Sequence, residues 1–198
     1  MAPTGRPPLA FPPVVPLLRS PTVEQAVADA ERVLSAGAGV IELTTSTDGW
    51  TRALAALVEA HPQARFGVGT IRDADDVRRA AEAGAAFVVS PTLVPAAREA
   101  AEALGLPLVE GGLTPSELRR AAATTAWAKL FPAAALGPDY LRLLRPALPG
   151  LRVIATGGIG PETAPAWIAA GADAVALSCH GPDGAARFAA TVAALGAR

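Results

Sequence analysis

Trp127-Ala128-Lys129-Leu130-Phe131-Pro132 is an apolar run with one charge inside it and a proline to stop it. A short run of this kind, apolar on both faces, reads as a buried strand of a parallel sheet. The same pattern recurs on both sides. Toward the N-terminus lie the runs 106–109, 86–90, 65–70, 40–43 and 14–18. Toward the C-terminus lie 152–155 and 174–177. With 127–131 they make eight strands.

Helical signals fill the gaps. Thr22 caps a helix with Glu24 and Gln25 in its first turn, and Gly37 closes it. Val23, Ala26, Val27, Ala30, Val33 and Leu34 follow helical spacing between them. Asp73 caps another helix, and Thr114-Pro115-Ser116-Glu117 is a capping box with proline at the first helical position. Pro138 and Pro161 open two more, and further helices are expected over 48–60, 95–104 and from 183 onward. Eight strand–helix units specify an α/β fold, a single-domain (β/α)8 barrel, over residues 14–198. Residues 1–13 read as a proline-rich N-terminal tail. A doubly wound open sheet is the alternative, but no G-x-G-x-x-G follows the first strand.

Composition narrows the function. Of 198 residues, 51% are hydrophobic and 18% charged, which argues against disorder. The net charge is −1, no basic block exists and aromatics are 5%, so no nucleic-acid partner is expected. The single cysteine, Cys179, and two distant histidines, His61 and His180, make neither an intrachain disulfide nor a zinc site. No apolar run approaches the ~20 residues of a membrane helix. No signal-peptide h-region is visible either, so a cytoplasmic protein is expected.

Lys129 is the only lysine; the other 16 of the 17 basic residues are arginine. A neutral primary amine is a nucleophile that forms a Schiff base with a carbonyl, which a guanidinium cannot do. The simpler alternative is a strand-end lysine reaching solvent. A barrel builds its site from the C-terminal ends of its strands. Those ends carry Arg19, Glu42, Thr70, Ser90-Pro91, Glu110, Lys129, Gly157-Gly158 and Ser178-Cys179. Glu42 lies inside a strand, where it either carries protons for Lys129 or forms a purely structural ion pair with it. The Gly157-Gly158 turn before Pro161 offers backbone N–H groups to an anion. Arg19, at the end of the first strand and so beside the eighth, is expected to add charge there.

These residues resemble the 2-keto-3-deoxy-6-phosphogluconate aldolase family, which also covers 6-phosphogalactonate and 4-hydroxy-2-oxoglutarate aldolases. The resemblance runs over about residues 14–190. It rests on Lys129-Leu130-Phe131-Pro132, Ile41-Glu42-Leu43-Thr44, Gly67-Val68-Gly69-Thr70, Ser90-Pro91 and Thr156-Gly157-Gly158-Ile159. Gly137-Pro138-Asp139-Tyr140 and Ser46-Thr47-Asp48-Gly49-Trp50 are most similar to the phosphogalactonate branch. The resemblance implies a class I aldolase with Lys129 as nucleophile and Glu42 as general acid and base. It puts Thr70 near the pyruvate carboxylate and Phe131 beside the lysine, with Pro91, Gly157, Gly158, Ser178 and Arg19 around the substrate. It implies no metal or other cofactor, a homotrimer, and a small 2-keto-3-deoxy acid as substrate. Cleavage of a phosphorylated acid would give pyruvate and glyceraldehyde 3-phosphate.

Three positions depart from the family pattern. Ser46 stands where many phosphogluconate enzymes have arginine, Ser178-Cys179 where Gly-Ser is usual, and Glu110 where proline is common. Glu110 is thereby expected to bring a negative charge close to the substrate. The rival readings are an aldolase or decarboxylase on an unphosphorylated 2-keto acid such as 4-hydroxy-2-oxoglutarate, and a non-catalytic phosphosugar-binding barrel.

Overall fold

Parallel strands alternate with helices around a closed barrel in the computed structural model, which describes residues 9–196. The strands are β1 (Val14–Leu18), β2 (Val40–Thr44), β3 (Arg65–Gly69), β4 (Phe87–Val89), β5 (Leu108–Val109, resuming as Gly111–Gly112), β6 (Trp127–Leu130), β7 (Arg152–Thr156) and β8 (Ala174–Ser178). The helices are α1 (Val23–Ser35), α2 (Trp50–Ala60), α3 (Ala74–Glu82), α4 (Pro95–Leu104), α5 (Pro115–Ala121), α6 (Pro138–Leu144), α7 (Ala164–Ala169) and α8 (Gly184–Gly196). The first and last strands pair, Val14 opposite Val175 and Leu17 opposite Ser178. On the far side the fifth strand does the closing. Val109 pairs with β4, and after Glu110 the segment Gly111–Gly112 pairs with β6. The barrel expected from the eight repeats is the barrel observed.

Local signals act as their chemistry requires. The Thr22 hydroxyl accepts from the Gln25 N–H at 3.3 Å, and the Asp73 carboxylate from the Asp76 N–H at 2.8 Å. The capping box at Thr114 and Glu117 forms in full. Some boundaries differ. Thr70 and Phe131 lie just past β3 and β6, where the cavity begins. Pro161 does not open a helix. It sits in a turn whose Gly160 N–H donates to the Thr163 hydroxyl at 3.0 Å, and α7 starts only at Ala164.

Two apolar cores result. The larger lies between sheet and helices, with Leu54, Ile71, Leu118, Leu141 and Trp167 among its members. The smaller fills the lower barrel interior with Val40, Phe87, Trp127 and Ile154, closed from below by Leu9 and Phe11. Phe11 packs edge-on against both Phe87 and Trp127, each at 5.0 Å between ring centroids. Trp127 also donates its indole N–H to the Leu9 carbonyl at 2.9 Å. Residues 1–8 of the N-terminal tail lie outside the described residues.

Glycines on β3 make the interior possible. A Cβ on Gly67 would stand 2.2 Å from the Phe87 ring, and one on Gly69 would stand 1.8 Å from Glu42 Oε1. Side chains alternate along a strand, so both positions point inward. The first leaves room for an aromatic ring, the second for a carboxylate.

Candidate active site

Two strands carry a charge into the barrel. Lys129, on β6 two residues above Trp127, and Glu42, on β2 two residues above Val40, share the inward face of their strands. The side chains are 7% and 5% exposed, with Nζ and Oε1 3.7 Å apart. That separation is an ion pair but too long for a hydrogen bond. Glu42 Oε1 is buried with no hydrogen-bond partner. Burial pushes the Glu42 carboxyl above its ordinary range, and the positive charges of Lys129 and then Arg19 pull against that rise. The Lys129 ammonium position also stands over the Phe131 ring, 5.4 Å from its centroid.

Above this pair opens a cavity of about 660 Å³. Eight of the nine residues expected at the site line it: Lys129, Arg19, Thr70, Pro91, Phe131, Gly157, Gly158 and Ser178. The ninth, Glu42, meets it through Lys129. Thr70 adopts φ +65°, a strained left-handed backbone for a β-branched residue, and its carbonyl accepts from the Thr45 hydroxyl at 2.9 Å. Gly157 and Gly158 both have positive φ, +97° and +73°, which lets the loop after β7 fold over the cavity rim.

Arg19 is turned toward the β2 side. Its Nη1 donates to the Ser46 hydroxyl at 3.3 Å, and that hydroxyl lies 2.7 Å from Thr44 Oγ1. Arg19 lines the same cavity as the Gly157-Gly158 turn it is expected to serve. Ser178 faces the cavity, while Cys179 is fully buried in the outer core, where burial pushes its thiol up to about 12.

Glu110 is not at the mouth. Its carboxylate points out of the barrel, accepts from the Val94 N–H at 2.8 Å and from Arg98 Nε at 2.7 Å, and is 1% exposed. Val109 points into the barrel, so alternation along β5 turns Glu110 outward, and it brings no charge to the substrate. Sequence reading missed Gly160, Glu162 and Arg187, which line the cavity, and gave no role to Thr156, quoted only within the Thr156-Gly157-Gly158-Ile159 motif. Thr156 Oγ1 is buried without a partner.

Among the described residues, no group of His, Cys, Asp or Glu side chains could hold a metal ion. No helix among them is long and apolar enough to cross a membrane.

Comparisons with known proteins agree with this geometry. The model of the KDPG and KHG aldolase family matches residues 9–181. The chain is 32% identical to the 2-dehydro-3-deoxy-6-phosphogalactonate aldolase of Escherichia coli strain K12 over 162 residues, 80% of this chain and 79% of the relative. A solved structure described as native KDPGal superposes with a TM-score of 0.87 at 28% identity, covering 94% of this chain and 95% of the other. KDPG aldolase from Legionella pneumophila, solved with pyruvate captured as a covalent carbinolamine intermediate, superposes with a TM-score of 0.80 at 26% identity and covers 93% of each. With a buried amine beside a buried carboxylate under an open barrel mouth, and a family match over most of its length, the chain belongs to the KDPG and KHG aldolase family.

Proposed function

We propose that the protein is a class I aldolase that cleaves a 2-keto-3-deoxy-6-phospho sugar acid to pyruvate and glyceraldehyde 3-phosphate. One observation carries the reading. The chain's only lysine is buried 3.7 Å from a buried glutamate at the base of the mouth cavity. An amine held there is positioned to attack a ketone and, once joined to it, to act as an electron sink.

The sequence of bonds follows from that placement. Lys129 Nζ adds to the C2 ketone and gives a carbinolamine, whose hydroxyl leaves as water to form the iminium. The C4 hydroxyl then loses its proton, the C3–C4 bond breaks, and its electron pair moves into the iminium as an enamine. The aldehyde departs. Protonation at C3 and addition of water release pyruvate and restore the amine. Glu42 handles the protons, since it is the carboxylate nearest the nitrogen and its raised pKa suits it to both giving and taking them. The Glu42 carboxylate stands close enough to reach the oxygen of a carbinolamine formed on Nζ. Thr70 and Arg19 serve the substrate carboxylate, Phe131 and Pro91 its apolar side, and Gly157, Gly158 and Ser178 its far end.

The assembly we propose is a homotrimer, supported by the exposed Leu136 and by Leu143, which is 79% exposed. A light-scattering mass other than three chains would exclude it. Cytoplasmic residence belongs to the same reading.

Borohydride trapping tests the chemistry. Pyruvate plus borohydride should add one covalent adduct, found by mass spectrometry on the peptide containing Lys129. Lys129→Arg should fold, trap nothing and lose turnover by ~10⁴-fold or more, the scale on which covalent catalysts depend on their nucleophile. An adduct-free Lys129 under turnover would sink the Schiff-base mechanism. If the parent prefers the unphosphorylated acid, the substrate is of the 4-hydroxy-2-oxoglutarate type instead.

A further inference from the structure

Three cations line the cavity, and two of them are engaged at the imine end. Lys129 faces Glu42 at 3.7 Å, and Arg19 donates to Ser46 at 3.3 Å. The third, Arg187, stands on the first turns of α8 and has no part in the chemistry described so far. Among the described residues its guanidinium makes no ion pair. Its one side-chain hydrogen bond is a long one, from Nε to the Ser178 carbonyl at 3.3 Å. A Cβ added to Gly160 would lie 3.8 Å from Arg187 Nη2, so the terminal nitrogens reach over the loop after β7. Arg187 thus closes a corner made by Gly157, Gly158, Gly160 and Ser178.

That corner is held in place from behind. The Arg187 carbonyl accepts from the Thr191 hydroxyl at 2.8 Å, and its N–H donates to the Asp183 carbonyl at 2.9 Å. The loop leading into α8 is pinned by Asp29, a buried α1 carboxylate that takes the Gly181 N–H at 3.0 Å and the Ser20 hydroxyl at 2.5 Å. A guanidinium on a fixed base, with its outer nitrogens free, suits a planar, two-pronged grip on phosphate oxygens. The carboxylate of Glu162 stands on the same rim, since its Oε2 lies 3.1 Å from the same Cβ position. Without Arg187 that rim would repel a dianion.

We propose that Arg187 reads the phosphate at the far end of the keto acid and so determines that the site prefers a phosphorylated substrate. The inference rests on the aldolase reading above and adds a residue and a role to it. Ser178 supplies a hydroxyl beside it, while Cys179, buried in the outer core, supplies nothing.

The test uses the parent, Arg187→Ala and Arg187→Lys. The kcat/KM for the 2-keto-3-deoxy acid is measured with and without its 6-phosphate. In Arg187→Ala the ratio of the two should fall by roughly 10- to 100-fold, the usual scale of a hydrogen bond to a charged group, and most of the fall should be in KM. Arg187→Lys should fall between the two, because it keeps the charge and loses the fork. Borohydride trapping with pyruvate, run alongside, reports on Lys129 independently. Normal trapping with an unchanged ratio overturns the role of Arg187 and leaves the aldolase. Equal losses on both acids also overturn it, because the residue would then be structural. A titration with glycerol 3-phosphate decides the matter even where no imine can be trapped. Affinity at least tenfold weaker in Arg187→Ala supports the proposal, and equal affinity overturns it.

Discussion

Two residues along each strand separate the two ends of the barrel interior. On β6 the lower position is Trp127 and the upper is Lys129. On β2 they are Val40 and Glu42, and on β7 they are Ile154 and Thr156. The lower layer is filled with aromatic and branched side chains and sealed by Phe11. The upper layer holds a buried ion pair, two buried oxygens without partners, and an open cavity. Burying apolar surface stabilises a fold, whereas burying charge costs it stability unless the pairing is very good. Holding the fold and doing the chemistry thus fall to different layers of the same strands.

The sharpest way to break this division is at Glu42. Glu42→Gln should lower kcat by ~10²–10⁴-fold, the range for general acid–base groups, while its melting transition stays cooperative. The pH dependence gives a second reading. Burial raises the Glu42 carboxyl above its ordinary 4.5, so the folded state holds a proton there that the unfolded chain has released. Its contribution to stability therefore falls as pH rises from the ordinary carboxylate value to the raised one. Imine formation should lose rate as pH drops through the same window. Both slopes should vanish in Glu42→Gln, and their persistence would assign them to another group.

The lower layer should behave in the opposite way. Trp127→Ala removes a buried indole and its bond to Leu9, and should cost about 3–5 kcal/mol in urea unfolding. Measured well below its melting temperature, the variant should keep its kcat. A collapse of kcat in a folded Trp127→Ala would mean that the two layers are coupled.

The smallest effect is expected where the layers meet, at Gly69. Gly69→Ala places a methyl group where Glu42 Oε1 now stands. The carboxylate must move, and kcat should fall about tenfold, with roughly 1–3 kcal/mol of overpacking strain seen in thermal melts. Parent-like turnover in this variant would show that the position of Glu42 is not critical.

Much of this was readable from residues alone, and the reasons differ by residue. The strands were legible because each is a short apolar run with punctuation at both ends. Lys129 and Glu42 were legible because a charge inside such a run is costly to bury and so marks a site. Glu110 looked the same but was misread. Its strand alternates, Leu108 outward and Val109 inward, but both are apolar, so nothing in the residues marked which face Glu110 takes. Pro161 carried a helix-opening signal, but it begins only a turn, and α7 starts at Ala164. Arg187 was invisible because an arginine on a C-terminal helix looks like any solvated charge until the fold brings α8 over the β7 loop. Gly69 was equally silent, since only the approach of Glu42 from the neighbouring strand gives its missing side chain a purpose.

The clasp between the first and last units has a consequence for how the molecule comes into being. Asp29 and Gly181 are 152 residues apart, and β1 pairs with β8. Closing a loop of that length costs more chain entropy than any contact within one strand–helix unit. The wall of the cavity is drawn from both extremes, Arg19 from one and Ser178 and Arg187 from the other. A growing chain that has already made Lys129 thus has its amine but no pocket around it. Aldolase turnover, followed during synthesis or refolding, would time the closing of the ring rather than the appearance of the lysine.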